Sequence, residues 1–415
     1  MKGNALIKLG ATAAAVLALL VMTGDAALAQ TRVPRQAPSA ATSSPTTPVR
    51  EFVIPEGLSA PHAIAVDGDG RVWFAEKVGR NLASFDFAEK RFESHPLPES
   101  WGNLGPSRIA LAADGRVWFT VRRGAESETP INLLGEFEVA SGKFRKHVLP
   151  GALRPEDLTL DAAGKVWFLA PDQNGVFRFD PGSGALQGFA IPTPNSYPKG
   201  IAIDGQGSIW FAEANVNKIA KLVPEESAIA EYEIPAQFAN PGGVAIDGSG
   251  RVWFNELRAN AIGVFYPDLM RFDEAPIPTP RGLPSALVAD GEGRIWFLEY
   301  RGNKVGMFDP KGAYFNEFDI PSYASFPTAL AFDGKAGRLW FSLSSTEVKR
   351  LGHLSLAEAR AWNPGLAAKA AQATPRQTST SLLQIIGYMV VAVGALLLLI
   401  SGGLFIVLAR RKSGA

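Results

Sequence analysis

The sequence predicts an all-β fold: a seven-bladed β-propeller of four-stranded blades, its last blade completed by the first strand, followed by one C-terminal transmembrane helix. Three observations predict it. The phrase Asp-Gly-x-Gly-Arg-Val-Trp-Phe at 67–74 recurs with variations, placing Trp-Phe pairs at Trp73, Trp118, Trp167, Trp210, Trp253, Trp296 and Trp340, at spacings of 45, 49, 43, 43, 43 and 44 residues. Such a period belongs to a propeller or a solenoid. Six repeats end in an apolar-Pro pair (Leu97-Pro98, Leu149-Pro150, Ile191-Pro192, Ile234-Pro235, Ile277-Pro278, Ile320-Pro321), and a seventh ending, Ile54-Pro55, stands ahead of the first repeat. The last repeat stops after three strands near 351–354, so joining the two ends closes a ring and removes the open edges of a linear array. Finally, 385–409 carries no charge and is followed at once by Arg410, Arg411 and Lys412.

Taken in order, residues 1–29 read as a secretory signal peptide: Lys2 and Lys8, an apolar run, then Ala27-Leu28-Ala29 before Gln30. Residues 30–50 are rich in Pro, Ser, Thr and Ala and read as a disordered linker. The propeller is expected over 51–354. Its first repeat has four short apolar or alternating segments, 62–66, 72–76, 82–87 and 91–97, separated by turn residues. A proline is tolerated at the end of an outer edge strand because no neighbour needs its N–H. Trp and Phe, adjacent on a strand, leave opposite faces and are expected to wedge between neighbouring blades. The Asp-Gly pairs beginning at Asp67, Asp114, Asp204, Asp247, Asp290 and Asp333 read as hairpin turns. Residues 355–381 read as a short helix and tether, 382–409 as the membrane span, and 410–415 as a cytoplasmic tail under the positive-inside rule. The propeller is then extracytoplasmic on a single-pass membrane protein.

Lys+Arg of 41 against Asp+Glu of 40 leaves a charge of +1, which gives no whole-molecule field for nucleic acid, and the absence of Cys excludes disulfides, thiolate metal sites and Cys nucleophiles. Functional groups are expected where the inner strands open onto one face. Counting outward from the first hairpin turn sets His62 opposite Glu76, and the same offset pairs Lys199 with Glu213, Gly242 with Glu256, Ser285 with Glu299 and, in blade 7, Thr328 with Ser342 or Leu343. Glu76, Glu213, Glu256 and Glu299 would form an acidic arc on the rim, answered in blade 2 by Arg108, Arg122 and Arg123. Such a rim can bind a small molecule, a peptide or a protein at one face. The nearby asparagines Asn81, Asn217, Asn260 and Asn303 read as turn residues.

The pattern Pro-x-x-Ile/Val-x-x-Asp-Gly-x-Gly-x-x-Trp-Phe-x-Glu followed by Asn-x-Ile-Gly, seen at 198–213 with 217–219 and at 241–256 with 260–263, resembles the virginiamycin B (streptogramin B) lyases over 51–354. The resemblance implies a Mg²⁺-dependent elimination that opens a cyclic depsipeptide, with a His after the Pro of an inner strand as base and glutamates beside the metal. His62, after Pro61, matches that base and Glu76 would hold the metal, but the second family histidine is absent, with Thr328 standing at its place in blade 7. Two readings follow: a membrane-anchored propeller that binds a ligand or protein without elimination chemistry, or an active lyase or hydrolase using His62 and a divalent metal.

Overall fold

In the computed structural model, which describes residues 47–362 except 77, 124–129 and 346, the expected ring is present as seven four-stranded antiparallel sheets. Blade 1 is Pro61–Val66, Val72–Glu76, Asn81–Asp86 and Arg91–Pro96, and its order from the inner to the outer strand repeats in every blade. Blade 7 takes Pro327–Asp333, Arg338–Leu343 and Arg350–Ser355 from the end of the chain and Arg50–Val53 from its beginning. There Glu51 lies opposite Gly352 and Phe52 opposite Leu351. The closing strand starts a residue earlier than the sequence places it, and Thr47, inside the expected linker, is buried with its hydroxyl on the carbonyl of Asp319. Beyond blade 7 a helix over Leu356–Ala361 buries Leu356 and Ala359. The expected signal peptide and membrane span lie outside the described residues, among which no helix is long and apolar enough to cross a membrane.

The Trp-Phe pairs pack as their alternation dictates. Each of seven buried clusters joins the Trp of one blade to the Phe of the next: Trp73 with Phe119, Trp118 with Phe168, Trp167 with Phe211, Trp210 with Phe254, Trp253 with Phe297, Trp296 with Phe341, and Trp340 with Phe74. The glycine of the Asn-x-Ile-Gly motif makes room for the Phe, since a Cβ on Gly263 would stand 2.3 Å from the Phe254 ring.

The turn aspartates do more than make the turn. In five blades the Asp six residues before the Trp accepts the indole N–H, at 2.7 Å for Asp247 and Trp253 and 2.8 Å for Asp67 and Trp73, while its other oxygen takes the backbone N–H groups of the turn. Blade 2 has Ala112 at this position, so Asp114 is two residues out of phase with Asp67 and bonds Arg116 instead, and the indole N–H of Trp118 is buried without an acceptor. Ala112→Asp is therefore expected to stabilise the protein by about 1 kcal/mol, the worth of one satisfied hydrogen bond, in a denaturant titration.

Outer strands tie consecutive blades together. Glu231, Glu274, Glu317 and Glu51 on fourth strands each accept a backbone N–H from the loop arriving from the preceding blade, at Thr193, Ala236, Thr279 and Ser322. The same loops are held from the other side by Asn174, Asn217 and Asn303, whose side-chain amides donate to two loop carbonyls while the oxygen accepts a loop N–H. Asn217, Asn260 and Asn303 are in the left-handed region, as expected of turn residues.

Candidate functional site

The inner strands surround a cavity of about 640 Å³ that opens where they begin. The residue after the opening Pro points into it in most blades, as expected: His62, Lys199, Gly242, Ser285 and Thr328 all line the cavity. Strand crowding at the channel demands glycine at Gly200, where φ is +58° and a Cβ would meet the carbonyl oxygen of Gly242 at 2.4 Å.

The charged wall comes from blades 1 to 4. Arg108 Nη1 donates to His62 Nε2 at 2.8 Å, and Arg108 Nε donates to Asp157 Oδ1 at 2.8 Å. Asp157 Oδ2 accepts the backbone N–H of Gly200 at 2.8 Å. Burial works to raise the Asp157 pKa, but Arg108, the Gly200 N–H and Lys199 together outweigh it and hold it below the ordinary carboxylate value. Glu156 goes the other way, pushed up by burial and then by the charge of Asp157. With Arg108 paired to Asp157, Lys199 is the other cation of this wall, and its charge is felt by Glu156. The facing wall, from blades 5 to 7, is neutral, with Leu257, Leu283, Ala329, Tyr300, Ser285 and Thr328.

The expected acidic arc does not form. Each glutamate lies opposite the Pro rather than the residue after it: Pro61 pairs with Glu76, Pro198 with Glu213, Pro241 with Glu256 and Pro284 with Glu299, with an irregularity in the first strand directly after the Pro in blades 1, 5 and 6 and after Lys199 in blade 4. The glutamates also share the parity of the Phe two residues earlier, so they turn into the space between blades, away from the channel. Glu76 is 1% exposed and Glu213, Glu256 and Glu299 are 0% exposed. None of them lines the cavity. Arg122 is likewise buried, donating to the carbonyls of Pro106 and Glu76. Of the expected ligand-binding residues, the structure brings Arg108 and Lys199 to the cavity and takes Glu213, Glu256, Glu299 and Arg122 out of it.

Burial sets the protonation of these acids. Both oxygens of Glu213, Glu256 and Glu299 are buried without a donor. Desolvation, followed by the neighbouring charges of Glu231, Glu274 and Glu317 respectively, pushes each pKa up to about 8. Glu76 is raised by burial as well, but hydrogen bonds work against the rise: its oxygens accept from Ser59 N at 2.8 Å and from Asn81 Nδ2 at 2.8 Å.

These surroundings do not fit a divalent cation held by Glu76. Its oxygens face N–H donors at a closed position, and the His62 nitrogen that would approach a metal or a substrate proton accepts from a guanidinium. Among the described residues no group of three or more His, Asp or Glu side chains is disposed to hold a metal ion. Thr328, at the place of the second histidine, directs its hydroxyl to Ser342 Oγ at 3.1 Å and offers no titratable group.

Asp157 was not singled out by the sequence pattern, because blade 3 lacks the Trp-Phe-x-Glu ending and its inner strand is reduced to Leu158–Leu160. The signal available was its place, two residues after Pro155, equivalent to Arg108 after Pro106. Asn255 and Tyr300, which follow Trp-Phe in blades 5 and 6, also reach the cavity.

The family model described as the virginiamycin B lyase family matches residues 47–351. A streptogramin B lyase structure superposes with a TM-score of 0.65 at 25% identity, covering 74% of this chain and 96% of that one. The Staphylococcus aureus virginiamycin B lyase, and its catalytically inactive histidine-to-alanine variant crystallised with quinupristin, each give a TM-score of 0.65 at 25% identity and cover 74% of this chain and 99% of theirs. No curated protein matches the chain.

Proposed function

Because the chain belongs to the virginiamycin B lyase family, we propose that it is a membrane-tethered, extracytoplasmic member that binds a ligand in the central cavity without the elimination chemistry of the lyases. The observation that carries this reading is the Arg108 to His62 contact. A guanidinium only donates, so His62 Nε2 must offer its lone pair to Arg108, which leaves the ring neutral with its proton on Nδ1. The lone pair that a general base needs is occupied, and the partner that could share the proton load, a second histidine, is replaced by Thr328.

What remains is a cavity with one polar wall and one apolar wall. Its occupant is an amphiphilic small molecule whose carboxylate or strongly polarised carbonyl meets Lys199, and whose apolar body rests on Leu257, Leu283 and Ala329. The helix at Leu356–Ala361 begins beside Gly337, in the turn joining the first two strands of blade 7, and Arg50 of the closing strand pairs with Glu358 of that helix. The helix that follows blade 7 thus begins on the face opposite the cavity mouth.

The test uses the full-length chain in detergent, with quinupristin and a series of amphiphilic carboxylates as probes in calorimetry and chromatography. Binding without ring opening is expected, with Lys199→Gln or Arg108→Leu weakening it about tenfold, as loss of one charged contact does. A ring-opened product whose formation stops on His62→Ala would establish the lyase reading instead. No binding by any probe, or binding indifferent to both cavity variants, would remove the cavity reading.

A further inference from the structure

We infer that the face around the cavity mouth on blades 5 and 6 is a docking surface for an acidic segment of a partner protein, built from three arginines and a row of outward aromatic side chains. Blades 5 and 6, together with the loops around them, contain six arginines. Arg251, Arg271 and Arg294 are each paired, with Asp247, Asp273 and Asp290. Arg258, Arg281 and Arg301 are exposed and form no ion pair among the described residues. All three unpaired arginines lie in the loops of one face. The loops concerned, 235–240, 257–260, 278–283, 300–303 and 321–326, contain no Asp or Glu.

Backbone hydrogen bonds join these loops into one surface. Arg258 N donates to the carbonyl of Ala239, beside Phe238, at 3.0 Å, and Arg301 N donates to the carbonyl of Gly282, beside Arg281, at 2.9 Å. The 257–260 turn is itself tied to the Arg281 loop, because Asn260 Nδ2 donates to the carbonyl of Thr279 and its oxygen accepts from Leu283 N. On this surface Phe238 is 76% exposed and Tyr323 is 91% exposed, and Phe326 stacks on Tyr300 with ring centroids 5.1 Å apart. Phe238, Arg281 and Phe326 have φ of +57°, +56° and +49°, part of a loop conformation that recurs at Asn195, Asn240 and Ala324 and whose N–H groups Asn217, Asn260 and Asn303 accept.

Charge complementarity selects the occupant. Guanidinium groups pair bidentately with carboxylates, and three of them on aromatic ground match a segment alternating Glu or Asp with aromatic residues. The surface is distinct from the Lys199 wall and faces the same way as the cavity mouth.

The experiment measures fluorescence anisotropy of a labelled peptide of alternating Glu and Tyr against the full-length chain in detergent. Replacing the three arginines together (R258Q, R281Q, R301Q) is expected to weaken binding at least tenfold, roughly the loss of several charge-assisted contacts. Phe238→Ser with Tyr323→Ser is expected to weaken it about fivefold, and Lys311→Gln, in an outer turn on the opposite face of blade 6, to stay within about twofold. Unchanged melting temperatures keep the comparison to folded protein. Equal binding by the triple variant, equal binding of a Gln-Tyr peptide, or tighter binding of single-stranded DNA or anionic vesicles would each overturn the proposal.

Discussion

Replacing Trp253 by alanine is expected to lower the unfolding free energy by about 3–5 kcal/mol, the cost of emptying a fully buried aromatic site. Trp253 is 1% exposed and packs with Ile262, Val264 and Ile277 of its own blade and its loop and with Leu287, Ile295 and Phe297 of blade 6. The cavity would open between two blades, where the ring is held by such side chains, by the loop ties described above and by the hydrogen bond from Asn255 Nδ2 to the carbonyl of Pro284. Loss of the indole also leaves an Asp247 oxygen, now 2.7 Å from Trp253 Nε1, dependent on Arg251 alone. Trp253→Phe keeps most of the buried area and loses the rest together with the hydrogen bond, so its expected cost is smaller, about 1–3 kcal/mol. Denaturant titrations of both variants check the order. An alanine variant within about 1 kcal/mol of the parent would refute the account of the Trp as the wedge of the ring.

The second large effect is a fall of stability on the alkaline side of neutrality. Glu213, Glu256 and Glu299 have a folded pKa of about 8 against an ordinary 4.5, so between these values the folded chain binds more protons than the unfolded one. Stability from these groups is therefore complete below the unfolded value and is lost as pH rises through the folded one, at up to about 1.4 kcal/mol per group per pH unit. Two histidines whose pKa burial lowers, His95 and His353, oppose this at lower pH. His353, ringed by Phe52, Phe87 and Trp340, is lowered to about 4 from 6.5, chiefly by burial, and so costs stability only as pH falls below 6.5. The window from 6.5 to about 8 belongs to the glutamates. Melting temperature is expected to drop across it, and the triple variant E213Q, E256Q, E299Q is expected to abolish most of the drop. Glutamine keeps the shape of the neutral acid without a proton to lose. A parent protein whose melting temperature rises or stays level over that window would contradict the assignment of these acids as buried and neutral.

Much of the ring was legible from the chain. The Trp-Phe period counted the blades, and Ile54-Pro55 standing before the first repeat disclosed the closure between Arg50–Val53 and Arg350–Ser355. The residue after Pro was correctly aimed at the channel for His62, Lys199, Ser285 and Thr328. The glutamates were misplaced because the hairpin count ignored the irregularity in each first strand, and because the parity of Glu76 with Phe74 outranks its nearness to the strand end. Arg122 was misjudged for a related reason: a charged residue at a strand end reads as exposed, yet two carbonyls wait for it between the blades.

By itself, then, the sequence determined the local and periodic features: which segments are strands, how many blades they make, which residues wedge between them, and which one precedes the channel in each repeat. Those follow from patterns within one repeat length, where alternation and turn chemistry act. Only the tertiary structure decided the partners. Arg108 reaches His62 across 46 positions and Asp157 across 49, and the Lys199 wall faces the apolar wall across the ring. Such contacts depend on the rotation of each blade against the next, which is set by the summed packing of seven interfaces and is written in no single repeat.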